Sequence, residues 1–179
     1  MQELNETLVS TVRKLDAENQ SHDINRAHRG GYYSDGTFFD MILPGVREVQ
    51  QLFGGALEDY LRELEVLHTV KKIHLQGWVA LTRARDYQTP HLHAGSTVSG
   101  VYYAQIGDVE EPEGCIDLIT PIDAQEMTFL KGHARSYCRI LPKAGIMTLF
   151  PSYLRHYTHP FESDEERISI VCNAFITQG

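Results

Sequence analysis

Beyond residue 71 helical periodicity gives way to short extended runs. Ile73–Thr82, Val98–Ile106, Cys115–Ile119, Met127–Phe129, Ser136–Leu141, Gly145–Phe150 and Arg167–Ile176 are rich in apolar, β-branched and aromatic residues. Turn formers separate them at Gly107-Asp108, Glu111-Pro112-Glu113-Gly114, Pro142-Lys143 and Ser163-Asp164. Ahead of this series, Val46, Val49, Phe53, Leu57, Tyr60, Leu64 and Leu67 step by three and four, which predicts an amphipathic helix over 45–68. Leu4, Leu8, Val12 and Leu15 predict a shorter helix over 4–17. The polar stretch 18–43, with Gly30-Gly31 and Asp35-Gly36, reads as a surface wrap or part of a lid. Two helices followed by many short strands define an α+β, mainly β domain whose strands form a sandwich or barrel. The expectation is one domain over 1–179, helical over 1–70 and β over 71–179.

Composition narrows the function classes. A net charge of -8 argues against a broad nucleic-acid footprint. No apolar run approaches a membrane span, and the acidic, polar N-terminus does not read as a secretory signal, so the expected location is cytoplasmic. Cys115, Cys138 and Cys172 are odd in number and widely spaced, which argues against a disulfide framework. No C-x-x-C is present for a thiolate zinc site, and Cys172 reads as a small core residue. Dinucleotide and P-loop glycine motifs are absent. The 45–68 helix can pack on the barrel or pair with a neighbour in a homodimer, and the sequence leaves both open.

The chemistry concentrates in three segments. In Pro90-His91-Leu92-His93 the histidines stand at i and i+2, so on a strand they share a face. His156, distant in sequence, can complete a three-ligand face around a divalent metal with positions left open for substrate and O₂. Arg167 and Ser169 again share a strand face, and a guanidinium beside a hydroxyl suits a carboxylate. His159 competes with His156, but at three positions' distance the two face opposite ways on a strand. His22, His28, His68 and His74 show no partner pattern and read as locally hydrogen-bonded, and His133, in a polar stretch, reads as a loop residue. Trp78, Tyr102 and Tyr103 are candidate pocket residues, with parity favouring Tyr103 over Tyr102 on the inner side.

These segments resemble a known family. Thr89-Pro90-His91-Leu92-His93-Ala94-Gly95-Ser96 leading into Ser99-Gly100-Val101-Tyr102-Tyr103, Gly145 through Phe150-Pro151-Ser152-Tyr153-Leu154 to His156, and Arg167-Ile168-Ser169-Ile170 ending at Asn173 are similar to the small 2-oxoglutarate/Fe(II) oxygenases of bacteria and phages. The resemblance covers roughly 74–175. It implies a double-stranded β-helix, a cupin-like jelly roll with the N-terminal helices packed on it. It further implies Fe(II), 2-oxoglutarate and O₂, and hydroxylation of a small-molecule or peptide substrate with release of succinate and CO₂. Carried over residue by residue, His91 and His156 are iron ligands, and Arg167 and Ser169 hold 2-oxoglutarate; Tyr103, placed inward by parity, is expected beside it. Arg167 lies 11 residues beyond His156 and 8 beyond His159, and the longer interval matches the family spacing.

The departure is His93, which stands where the superfamily carries a carboxylate. The expectation is a three-histidine face of His91, His93 and His156. Two other readings stay open: His93 turns away and leaves its place to water or an anion, or Asp86 or Asp117 supplies the charge. Rival functions are a three-histidine cupin-type dioxygenase that uses no 2-oxoglutarate, and a metabolite-binding barrel without catalysis.

Overall fold

A computed structural model of the chain describes residues 1–18, 27–121 and 137–179. Helix α1 spans Gln2–Ala17 and buries Leu8, Thr11, Val12 and Leu15. Two short strands, β1 (His28–Arg29) and β2 (Tyr32–Tyr33), precede helix α2, Val46–Glu63. The remaining strands are β3 (Val70–Thr82), β4 (Tyr87–His91), β5 (Val98–Gln105), β6 (Ile116–Ile119), β7 (Tyr137–Ile140), β8 (Met147–Pro151), β9 (Arg155–Thr158) and β10 (Arg167–Gln178). The Met127–Phe129 run lies outside the described residues.

They form two antiparallel five-stranded sheets, a larger one in the order β2-β3-β10-β5-β8 and a smaller one in the order β1-β4-β9-β6-β7. This is the jelly roll that the short-strand pattern and the resemblance led us to expect. In the larger sheet the long strand β10 lies between β3 and β5. Its residues Ile168, Ile170 and Cys172 alternate onto the outer face and join Leu81, Val79 and Tyr102 beneath the helices. Helix α2 meets that face with Val46, Val49 and Phe53, and a second apolar cluster continues with Leu57 and Leu61. Truncating a buried phenylalanine such as Phe53 costs about 3–5 kcal/mol.

Three sequence expectations change. The predicted 45–68 helix ends at Glu63, because Glu65 adopts a left-handed φ of 57°. Leu61 takes the buried position, leaving Leu64 54% exposed, while Leu67 packs from a short 3-10 turn. The stretch 18–43 is not a surface wrap where it is described, since Tyr32, Tyr33, Phe38 and Phe39 are buried. Gly77 is required there: a Cβ would stand 2.6 Å from the Phe39 ring. Finally, β4 and β9 were not legible as separate strands. Each is five residues or fewer, and Pro90 falls where the β4–β9 register shifts, since proline cannot donate to a ladder.

Candidate metal centre

His91 and His156 are direct cross-strand partners on β4 and β9, so both rings project from the same face of the smaller sheet. Their ring centroids are 4.3 Å apart. Each ring is held locally in the same way. His91 Nδ1 donates to the carbonyl of Thr89 at 2.8 Å, and His156 Nδ1 donates to that of Leu154 at 3.0 Å. Both bonds reach back two residues, leaving Nε2 as the bare nitrogen of each ring.

His93 arrives differently. It lies past the end of β4, not on the strand as the i, i+2 spacing led us to expect. Its Nδ1 donates to the side-chain oxygen of Asn173 on β10 at 2.6 Å, with Ser99 Oγ at 3.0 Å. One ring nitrogen from each of His91, His93 and His156 lies within 4.8 Å of the other two. Burial favours neutral imidazoles: it pushes His156 down to about 3 and His93 down to about 4, and lowers His91 as well. Three neutral rings with their Nδ1 protons engaged elsewhere form a donor set that fits a divalent ion.

The competing residues lie elsewhere. Asp117 pairs with Tyr157, whereas its neighbour Leu118 pairs with His156, so Asp117 faces away from the histidines. It is fully buried and accepts two bonds from Arg139, at 2.8 and 2.7 Å, and one from the Tyr157 hydroxyl at 2.8 Å. His159 Nε2 lies 2.9 Å from the same carboxylate. The Arg139 guanidinium holds Asp117 well below the usual carboxylate range. Asp86 accepts the backbone N–H of Arg83 at 2.8 Å. Neither aspartate joins the histidine group. Two other histidines fall elsewhere, His68 in the 3-10 turn and His74 beside Phe175, whereas His28 stacks on Tyr33 and lines a recess shared with His91 and His93; His22 and His133 lie outside the described residues.

Opposite the histidines, the inner face of the larger sheet presents Arg167 and Ser169 into the same cavity. Arg167 is 7% exposed and donates to the carbonyl of Gly114 at 3.0 Å. Among the described residues it has no acidic partner, which is costly for a buried guanidinium and marks a place for an anion. Tyr103 pairs with Ser169 across the strands, with its ring 5.2 Å from the guanidinium carbon of Arg167. Burial raises its phenol, the nearby Arg167 guanidinium opposes that shift, and among the described residues no group meets hydrogen-bond geometry at its hydroxyl. Tyr102 points the other way, into the core beneath the helices, where it donates to Asn5.

Tyr33 was not legible as a site residue. It lines the cavity with a buried hydroxyl for which no partner meets hydrogen-bond geometry, and burial pushes its phenol up to about 12. Its only sequence signal was an aromatic pair inside a polar stretch. The inner cavity is narrow, about 30 Å³. It shares Tyr33, Trp78, His91 and His93 with a wider outer recess of about 390 Å³. Tyr103, expected to line the pocket, sits behind Arg167 and does not reach the cavity wall, so a buried cation and the Tyr33 phenol beside a three-nitrogen cluster are what fit an iron site with a dicarboxylate next to it.

Fold and site together define a jelly roll of the non-haem oxygenase type. Residues 76–173 match the sequence family described as "Putative 2OG-Fe(II) oxygenase", and the chain belongs to that family. The cofactors of the family are Fe(II) and 2-oxoglutarate. Among solved structures, a prolyl-4-hydroxylase from Pseudomonas putida is similar over 100% of this chain and 89% of its own, with 18% identity and a TM-score of 0.66. A prolyl hydroxylase from Trichoplax adhaerens, in complex with a hypoxia inducible factor peptide fragment, is similar over 97% of this chain and 78% of its own, at 15% identity and TM-score 0.67. HygX from Streptomyces hygroscopicus with iron bound is similar over 99% and 79%, at 14% identity and TM-score 0.56. At these identities the likeness is one of fold. No curated protein matches the chain in sequence. No helix among the described residues is long and apolar enough to cross a membrane.

Proposed function

We propose that this chain is an Fe(II)- and 2-oxoglutarate-dependent dioxygenase that hydroxylates its substrate with release of succinate and CO₂. His91, His93 and His156 hold the metal through their Nε2 atoms. Arg167 binds the far carboxylate of 2-oxoglutarate, with Ser169 and Tyr33 donating hydroxyl protons beside it and Tyr103 supporting the guanidinium from below. Iron, when bound, supplies O₂ activation and the oxidising power of the reaction. The protein supplies fixed ligands, an anion clamp and a narrow site that limits water. Because the inner cavity is so narrow, admitting the dicarboxylate requires side chains at its neck to turn aside. The outer recess, bounded by Trp78, Tyr33 and Gln76, is the place for substrate. The peptide bound to the Trichoplax relative supports a peptide as one substrate class, alongside a small molecule.

The observation that carries this reading is the placement of a buried Arg167, without an acidic partner among the described residues, in the same cavity as the histidine cluster. Three histidines alone also suit a cupin-type dioxygenase without 2-oxoglutarate, and Arg167 argues against it. The test needs no known substrate. Anaerobic protein loaded with Fe(II) and 2-oxoglutarate is mixed with O₂, and slow uncoupled turnover to succinate is followed. Succinate from the wild type and none from His156→Ala is the expected result. Iron binding without any succinate formation would favour the cupin-type reading, and no iron binding would overturn both.

A further inference from the structure

Resting on the metal-site reading above, we infer that Asn173, supported by Ser99, is the positioning residue that lets a neutral imidazole at His93 serve as the third ligand. The three histidines are held by two different devices. His91 and His156 sit opposite one another in a ladder, and each ring is fixed by a carbonyl two residues back. His93 has neither support. Its backbone N–H donates to Ser152 O at 3.2 Å and its carbonyl accepts Ser96 Oγ at 2.9 Å, which places the main chain but leaves the ring free to turn. What orients the ring comes from the opposite sheet. Asn173 and Ser99 are cross-strand partners on β10 and β5. The Asn173 side-chain oxygen takes the Nδ1 proton at 2.6 Å. Ser99, fully buried, donates to that oxygen at 2.9 Å and lies 2.8 Å from Ser152 Oγ.

The chemistry follows from the tautomer. With Nδ1 protonated, Nε2 presents a lone pair to the metal; with the proton on Nε2, that atom cannot ligate while Nδ1 faces Asn173. Asn173 therefore decides whether the site has three ligands or two. An amide does this without adding charge, whereas a carboxylate behind the ring would raise its basicity. The pair Asn173/Ser99 also links the two sheets, so that the larger sheet positions a ligand carried by the end of a strand from the smaller one.

The test separates this role from a packing role. Co(II) is titrated anaerobically into wild type, Asn173→Ala and Asn173→Asp and followed by visible absorption, and imidazole nitrogen NMR spectra are recorded on the metal-free proteins. Asn173→Ala is expected to weaken Co(II) binding about 10–100-fold and to lose the pure Nδ1–H form of His93. Asn173→Asp, which can only accept, is expected to keep that tautomer and to bind Co(II) at least as tightly as wild type. Should the alanine variant not fold, Asn173→Ser is the substitute. Wild-type affinity in the alanine or serine variant would overturn the inference, as would equal losses in the aspartate and alanine variants. A wild type that binds no Co(II) would overturn the metal site itself.

Discussion

The outer face of the larger sheet is apolar and lies under two helices, whereas the outer face of the smaller sheet carries Asp117, Arg139, Tyr157 and His159 bound to one another. Neither apolar cluster includes a residue of β4, β6, β7 or β9. The larger sheet is held by hydrophobic burial on one side, which leaves its other side free to carry Arg167, Ser169 and Asn173 with their polar demands. The smaller sheet carries His91 and His156 inside and is tied outside by a polar network. The lesson is a division of labour. The proposed anion site rests on a sheet stabilised by nonpolar contacts, and two of the three proposed ligands, His91 and His156, rest on one tied outside by charge and hydrogen bonds, while the third, His93, is oriented from the larger sheet.

That contrast can be broken at either sheet. The largest effect is expected at Arg167. Under the proposed function, Arg167→Ala lowers 2-oxoglutarate affinity by about 100-fold or more, because a buried charge-to-carboxylate contact is lost. Co(II) affinity should change little, and isothermal titration with each ligand in turn separates the two. A parallel loss of metal binding would show that Arg167, like Asn173, also supports the histidine cluster.

Next in size is Asp117. Asp117→Ala leaves the Tyr157 hydroxyl and Arg139 without their acceptor and should cost on the order of 2–3 kcal/mol in urea unfolding. The pH dependence has a definite sign. Because the folded carboxyl is depressed below its usual range, Asp117 stabilises at neutral pH. That contribution declines as pH falls below the ordinary carboxylate range and vanishes only in stronger acid. Asp117→Asn should flatten that acid limb, and an unchanged limb would remove the network from the comparison.

The smallest effect is expected at Tyr103. Among the described residues no group meets hydrogen-bond geometry at its buried hydroxyl, so Tyr103→Phe should change stability in urea unfolding by no more than about 1 kcal/mol. A few-fold rise in the KM for 2-oxoglutarate would assign the hydroxyl to the co-substrate, and an unchanged KM would confine Tyr103 to packing beneath Arg167.

Much of the site was legible because its signals are spacings. Arg167 with Ser169 follows the alternation along a strand, His156 ahead of Arg167 follows the family interval, and His91 with His93 was visible as a spacing even though His93 stands off the strand. Tyr33, Asn173 and Ser99 were not read as site residues, and Asp117, weighed as a charge donor, faces away. Each acquires its role from a partner many positions away, and a hydrogen bond across a sheet leaves no local period. Helix α2 shows the same limit. Its stripe was visible, yet the choice of Leu61 over Leu64 followed from a left-handed residue at Glu65 that no apolar spacing announces.

By itself the sequence determined the fold class, the short-strand architecture and the membership of the oxygenase family, and it singled out the histidine and arginine candidates, because hydrophobic period and motif spacing are properties of the chain. Only the tertiary structure decided that His93 stands off the strand, that an amide from the opposite sheet orients its ring, and that Asp117 faces away. Those outcomes depend on register between strands distant in sequence, and a one-residue slip would turn each of these side chains to the other face.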